Sequence, residues 1–375
     1  MNNKLLLLII CMSTLFSDLI HPPDQGSLNY IHVKFRWGTE MGINEFQFQL
    51  TNANDALLID SLVTDTFLII KDKIEWFSTY HWKVYPINGG WSSSYSFSTK
   101  GNSASMFTDV DAVYISLPIG LHEEWSVKSL KAGKHVLCEK SSTTSYHSAL
   151  KMVKVAKESN RRILEGFSFR YHPQHQKVKE LIANKLGEVR NFQGIYGFPP
   201  PSKDDIRWQK ELGGGVLNDV TCYPIYASRL VFEKEPISVL SHLEFDENYE
   251  VDKSADMILR YENGKSAFIS SGFNNYYQSE YSVWGSMAKI STRRAYAVPP
   301  HYETSVFLHQ DDQVFETVIN PVDQFKIMFD VFCNVITKKI ENPYDFEKDL
   351  LDQAKLMEAI RVSNEEKRLI NLSDI

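Results

Sequence analysis

The chain is poor in the residues from which small or specialised folds are built. Its 375 residues include four cysteines, at positions 11, 138, 222 and 333. None forms a close pair of metal-ligand spacing, and so sparse a set excludes a disulfide-stapled fold. Cys11 lies in a leading segment; the three that follow cannot make a full framework of pairs. H-E-x-x-H, G-x-S-x-G and G-x-x-x-x-G-K-[ST] are all missing. Zinc-peptidase, esterase and P-loop chemistries therefore have no sequence support, and no metal site is expected. There is no glycine triplet repeat and no sustained heptad, which removes collagen-like and coiled-coil folds. Positive charge is not in excess: the formal net charge is −7, which argues against a nucleic-acid partner. The apolar run from Leu5 to Met12 is too short for an integral membrane span.

What is present is ordinary globular composition, 43% hydrophobic and 23% charged, enough for two or three cores. Residues 1–17 have the layout of a signal peptide: Lys4, the apolar run, then small polar residues. The expected location is secreted or periplasmic if this leader is cleaved, and cytoplasmic otherwise. Between 21 and 100, short β-forming runs (IHVKFRW, EFQFQLT, DTFLII, YHWKVYPI, SYSFST) recur at intervals of roughly ten residues, the pattern of an antiparallel sandwich. Trp37, Trp82 and Trp91 are expected in its core. The run Tyr80 to Thr99 resembles the last strands of a fibronectin type III domain, with an aromatic strand, a Gly-Trp-Ser turn and a strand ending Phe-Ser-Thr.

After a polar linker, Gly101 to Ser105, the pattern turns to α/β. Asp111 to Leu117 is a continuous apolar strand, His122 to Ala132 a helix, Lys134 to Cys138 a strand, Ser145 to Ser159 an amphipathic helix and Arg162 to Phe167 a strand. That alternation predicts right-handed parallel crossovers. Further on, EVRNFQGIYGF, ADMILRY, KSAFISSGF, EYSVWGS, KISTR, VFLH and VFETVI read as strands, with a hairpin at Asn263-Gly264. Val322 to Ile340 and Phe346 to Ser363 read as closing helices.

The stretches VDAVYISLPIGLHEEWSVKSLKAGKHVLCEK, LEGFSFRYHPQHQKVKELIANKLGEVRNFQG and ELGGGVLNDVTCYPIYASRLVF together resemble the Gfo/Idh/MocA oxidoreductases, and within them the sugar and trans-dihydrodiol dehydrogenases. The resemblance covers about residues 105 to 375. It implies a partial Rossmann-like dinucleotide-binding segment at 105–167 and an α+β substrate domain with a large mixed or antiparallel sheet at 168–375. It also implies NAD or NADP as cofactor, a small sugar or diol as substrate, and homo-oligomers formed through the C-terminal sheet. One family feature is missing. No G-x-G-x-x-G turn occurs in the chain, although this turn lets backbone amides approach the pyrophosphate. The first strands of the dinucleotide-binding fold are absent, with the fibronectin-like segment in their place. The strand at 111–117 is thus expected to be a sheet edge, and the activity impaired.

Glu139 and Lys140 end a parallel strand, where open α/β sheets bind ligands; the family pattern Glu-Lys-Pro here has Ser141. The resemblance implies that Lys140 holds the nicotinamide ribose and a substrate hydroxyl. Asp219 and Tyr223, four apart in GGGVLNDVTCYPI, share a helix face. Tyr223 is expected as the proton-transfer group, its pKa of about 10 lowered by Lys140, with Asp219 orienting the substrate. Pro118, His122, Glu139 and Arg170 are the other cofactor candidates, with Ile119 where asparagine is usual. His172, Arg207 and Trp208 are substrate candidates; Pro173 also makes His172 a helix-capping candidate. Two function classes follow: an NAD(P)-dependent oxidoreductase acting on a sugar or diol hydroxyl, or a secreted non-catalytic module that binds carbohydrate or protein.

Overall fold

The computed structural model describes residues 19–28, 33–38, 43, 45–70, 73–75, 77–87, 91–99 and 110–375. The leader at 1–17 and the linker at 101–105 lie outside the described residues. The chain divides into two compact units, Met1–Asp109 and Val110–Ile375.

The first unit is all-β. β1 (Leu19–His21), β3 (Val33–Trp37) and β6 (Phe67–Ile70) form one sheet in the order β1-β3-β6. The other has the order β2-β8-β7-β4-β5, from β2 (Gly26–Leu28), β4 (Phe46–Asn52), β5 (Leu57–Val63), β7 (Thr79–Pro86) and β8 (Tyr95–Thr99). Alternation of apolar and polar residues puts Phe46, Phe48 and Leu50 of β4 and Tyr80, Trp82 and Val84 of β7 on the inner face. There they meet Val33, Phe35 and Trp37 of β3 in one aromatic core. Phe35 stands edge-on to Phe48 and to Trp82, at 5.0 and 5.1 Å between centroids. Trp37 and Trp82 are core residues as expected. Trp91 is not: it is half-buried against Tyr85, with the Lys83 ammonium 4.4 Å above its ring. Lys83 and Tyr85 stand on the opposite face of β7 from the core positions, so Trp91 packs on the outside of the sheet.

The second unit begins with β9 (Ala112–Ile115), α1 (His122–Lys131), β10 (His135–Glu139), α2 (Tyr146–Glu158) and β11 (Ile163–Gly166). The strands pair in parallel in the order β11-β10-β9. Among the described residues β9 has a neighbour on one side only, as the missing fingerprint implies. Ser145 caps α2 by accepting from the Ser148 amide. α3 (Pro173–Lys185) leads to a nine-stranded sheet, β19-β18-β17-β16-β12-β15-β14-β13-β20. Its strands are β12 (Val189–Phe198), β13 (Ser238–Phe245), β14 (Asp252–Arg260), β15 (Ser266–Phe273), β16 (Gln278–Gly285), β17 (Lys289–Thr292), β18 (Thr304–Gln310), β19 (Gln313–Ile319) and β20 (Ile370–Asn371). Only β12 and β15 pair in parallel, so the sheet is mixed. The turn at Asn263-Gly264 joins β14 to β15, both residues having positive φ.

One face of this sheet is covered by α3, α4 (Cys222–Phe232) and α6 (Phe346–Glu366). The other carries exposed Ile195, Leu240, Phe268 and Trp284. α5 (Gln324–Ile336) packs Met328 and Phe332 against Leu137 and Leu164 of the parallel sheet.

Candidate active site

The carboxyl ends of β9 and β10 open into a cleft of about 160 Å³. Pro118 and Ile119 from the loop after β9, Glu139 and Lys140 from the end of β10, and Arg207, Gly213, Gly214 and Asp219 line it. A glycine-rich turn brings the last of these into place. Gly213 has φ +79° and Gly215 +109°, and a Cβ on Gly215 would meet the Asp252 Oδ1 at 2.3 Å. The buried Asp252 carboxylate accepts from the Leu217 amide at 2.5 Å. A π-helical turn, Leu217–Thr221, follows before α4 begins. The sequence suggested a plain α-helix here; Gly215, seated on Asp252, starts the chain into the wider turn instead. Asp219 and Tyr223 still reach the same neighbour.

That neighbour is Lys140. Its Nζ donates to the Asp219 backbone oxygen at 2.6 Å and to Oδ1 at 3.0 Å, and lies 4.9 Å from the centroid of the Tyr223 ring. Burial alone lowers the proton affinity of an ammonium, but the Asp219 carboxylate outweighs it and holds Lys140 well above its ordinary pKa. Burial also opposes ionisation of Asp219, yet Lys140 and Arg207 together keep it below the usual carboxylate value. Tyr223 is half-buried in an aromatic cluster with Phe167, Phe169, Tyr196 and Tyr296. Burial there pushes its phenol up, and Lys140 offsets only part of the rise. A net lowering was expected from the sequence. The structure reverses it, because the apolar rings remove more water than one cation compensates.

Glu139 is raised by burial, while the Tyr114 hydroxyl donating at 2.7 Å and Lys140 pull the other way. Ser141, where the family has proline, is buried and donates to the Asn218 carbonyl at 2.9 Å, tying the end of β10 to the π turn.

The remaining predicted residues fall elsewhere. His122 is buried with Nδ1 2.9 Å from the Ser141 oxygen and Nε2 2.7 Å from the Leu117 oxygen. Both ring nitrogens are thereby engaged, and His122 braces the two loops beside the cleft from behind. Arg170 bonds the Tyr226 hydroxyl at 2.6 Å and stacks 3.5 Å over Tyr344, an internal network apart from the cleft. His172 caps α3, accepting from the Gln174 amide, and burial lowers it to about 4. Trp208 is buried and stacked on Tyr249 at 5.0 Å, a packing residue. Of the substrate candidates only Arg207 reaches the cleft. Sequence reasoning missed Asp205, whose carboxylate accepts from the Arg207 amide at 2.9 Å and both of whose oxygens contact Nη1 at 3.1 Å. An Asp immediately before a turn, its side chain capping the amide two residues on, is a signal that would have found it.

Residues 91–167 match the oxidoreductase family with an NAD-binding Rossmann fold, and residues 175–291 match the GFO/IDH/MocA C-terminal domain. A dTDP-3,4-didehydro-2,6-dideoxy-alpha-D-glucose 3-reductase of Actinomadura kijaniata is 34% identical over 68% of this chain and 76% of its own length. The chain belongs to the Gfo/Idh/MocA oxidoreductase family. Another member, a D-xylose 1-dehydrogenase (NADP(+)) of Haloferax volcanii, is 30% identical over 60% of this chain and 70% of its own. Among solved structures, a 3-ketoreductase from Actinomadura kijaniata in complex with NADP and TDP-benzene superposes with a TM-score of 0.67 at 32% identity, covering 71% of this chain and 83% of that one. The family's cofactor is NAD(P). Lys140, Glu139 and Asp219 give the cleft donors and acceptors suited to a nicotinamide ribose. The volume of about 160 Å³ is below the roughly 300–1,000 Å³ of whole-ligand sites, so the cleft accommodates only a part of a dinucleotide.

Proposed function

We propose that this chain is an NAD(P)-dependent oxidoreductase that interconverts a hydroxyl and a carbonyl on a sugar or related diol. The observation that carries this reading is the convergence of Lys140, Asp219 and Tyr223 at the carboxyl rim of a parallel sheet. NAD(P), when bound, supplies or takes the hydride. The protein's part is the proton. In the reducing direction the Tyr223 hydroxyl gives its proton to the substrate oxygen, and the phenolate left behind is stabilised by the adjacent Lys140 ammonium. In the oxidising direction the same proton returns to Tyr223. Asp219 fixes the Lys140 ammonium and orients a substrate hydroxyl. Pro118 and Glu139, which line the cleft, would help to hold the nicotinamide end of the cofactor. The aromatic cluster around Tyr223 keeps water from the phenol.

The two-sheet strand order of the first unit, β1-β3-β6 with β2-β8-β7-β4-β5, supports reading it as a fibronectin type III-like module. The exposed apolar residues on the open face of the nine-stranded sheet support homo-oligomers formed through that face.

Calorimetric titration of the full chain with NADPH and NADH, followed by turnover on a panel of keto sugars and aldoses, tests the reading. Cofactor binding is expected, with Lys140→Met lowering kcat at least a hundredfold and Tyr223→Phe about tenfold or more. If neither cofactor binds, the oxidoreductase reading fails and the non-catalytic binding module takes its place.

A further inference from the structure

The cleft contains one more charge pair than proton transfer at Tyr223 and Lys140 requires. Arg207 Nε donates to Asp219 Oδ2 at 2.6 Å, while Lys140 holds Oδ1 of the same carboxylate at 3.0 Å. Arg207 is itself anchored by Asp205, both of whose oxygens lie 3.1 Å from Nη1. Four charges therefore alternate in a row: Asp205 negative, Arg207 positive, Asp219 negative, Lys140 positive. The shorter contact belongs to Arg207, so Asp219 is shared and Lys140 has only part of it.

We propose that Asp205 and Arg207 are positioning residues that aim the Asp219 carboxylate and set how tightly Lys140 keeps its proton. This rests on the proposed role of Lys140 beside Tyr223. Removing the positive charge of Arg207 leaves Asp219 wholly to Lys140, which then holds its proton more firmly. Removing the negative charge of Asp205 leaves Arg207 uncompensated, which weakens the hold of Lys140. The other groups facing Lys140 are Glu139 on its own strand, His122 of α1, Tyr196 of β12, and Cys222 and Tyr223 of α4. They are the same in both variants and do not supply the difference in sign.

The test needs neither turnover nor cofactor, so it stands apart from the fate of the oxidoreductase reading. The full chain is acetylated with limiting acetic anhydride at about pH 9, where only the free amine reacts. Labelling of Lys140 is read by peptide mass spectrometry against the exposed Lys157 of α2. Arg207→Met is expected to slow Lys140 labelling at least about threefold, Asp205→Asn to speed it by a similar factor, and Arg207→Lys to restore the native rate. A merely loosened site would admit reagent and speed labelling in Arg207→Met, the opposite sign. Unchanged or faster labelling in Arg207→Met, or unchanged or slower labelling in Asp205→Asn, overturns the proposal. Circular dichroism checks that each variant folds; should Arg207→Met fail to fold, Asp205→Asn and Arg207→Lys decide by the same criteria.

Discussion

The interiors of the two units are built on different principles. In the first unit the core is a block of aromatic and aliphatic side chains, and among its described residues only Ser92 and Thr99 are buried polar groups. In the second, Glu165, Asp252, Arg229, His122, His172 and Glu347 are all buried. A buried ionisable group needs a partner, and most of these have one: Arg229 is held by Glu235 at 2.6 Å and Asp349 at 3.2 Å, and Arg162 by Glu347 at 2.8 Å. The contrast teaches where each unit spends its packing. An apolar sandwich maximises burial per residue. The second unit instead buries ionisable groups in paired networks, as Arg229 with Glu235 and Asp349.

Three experiments break or sharpen this contrast. The largest effect is expected from Trp82→Ala. Trp82 is fully buried and touches Phe35, Phe48 and Tyr95, so its loss should destabilise the first unit by about 3–5 kcal/mol, seen as an early transition on heating. NADPH affinity should not change; if it does, the two interiors are not separable. The next is Glu165→Gln. Its buried carboxyl accepts from the Ser142 amide at 2.7 Å and its other oxygen has no partner. Burial raises its pKa to about 7. The folded state then binds a proton more readily than the unfolded chain, so wild-type stability falls as pH rises from about 4.5 to about 7. The variant should lose that dependence and gain about 1–3 kcal/mol over wild type at pH 8 relative to pH 5, measured by urea unfolding. An equal gain at both pH values would show that Glu165 is not a strained acid. The smallest effect on folding is expected from Phe268→Lys on the open sheet face, where Phe268 is 40% exposed. Monomer stability should change by less than about 0.5 kcal/mol, while sedimentation should show the proposed homo-oligomer in the native chain and its loss in the variant; a native chain that sediments as a monomer, or a variant oligomer that is unaltered, would remove this face as the interface.

Much of this was legible in the chain. Five of the eight described strands of the first unit follow from short runs of alternating or aromatic β-formers. β1 and β2 did not, because three residues are too few to show a period, and neither did β5, whose LLIDSLV is not cleanly alternating. In the site, Lys140, Asp219 and Tyr223 were readable from motif and spacing. Arg170 and His172 were read from the resemblance of FRYHP to a loop that lines the cleft in relatives, and Trp208 from its place before the glycine run; neither says which way a side chain turns. Arg170 turns to Tyr226 and Tyr344, and Trp208 to Tyr249 and Phe273.

The order of residues determined the periods of the strands and helices, the family, and the residue types at the rim of the parallel sheet, since all of these depend on neighbours within a few positions. Which way the proton affinity of Tyr223 shifts, and how Asp219 is divided between Lys140 and Arg207, was decided only in three dimensions. Proton affinity depends on the water excluded and the charges gathered around a group; here the rings of Phe167, Phe169, Tyr196 and Tyr296 exclude the water and Lys140 supplies the charge, brought together from distant parts of the chain.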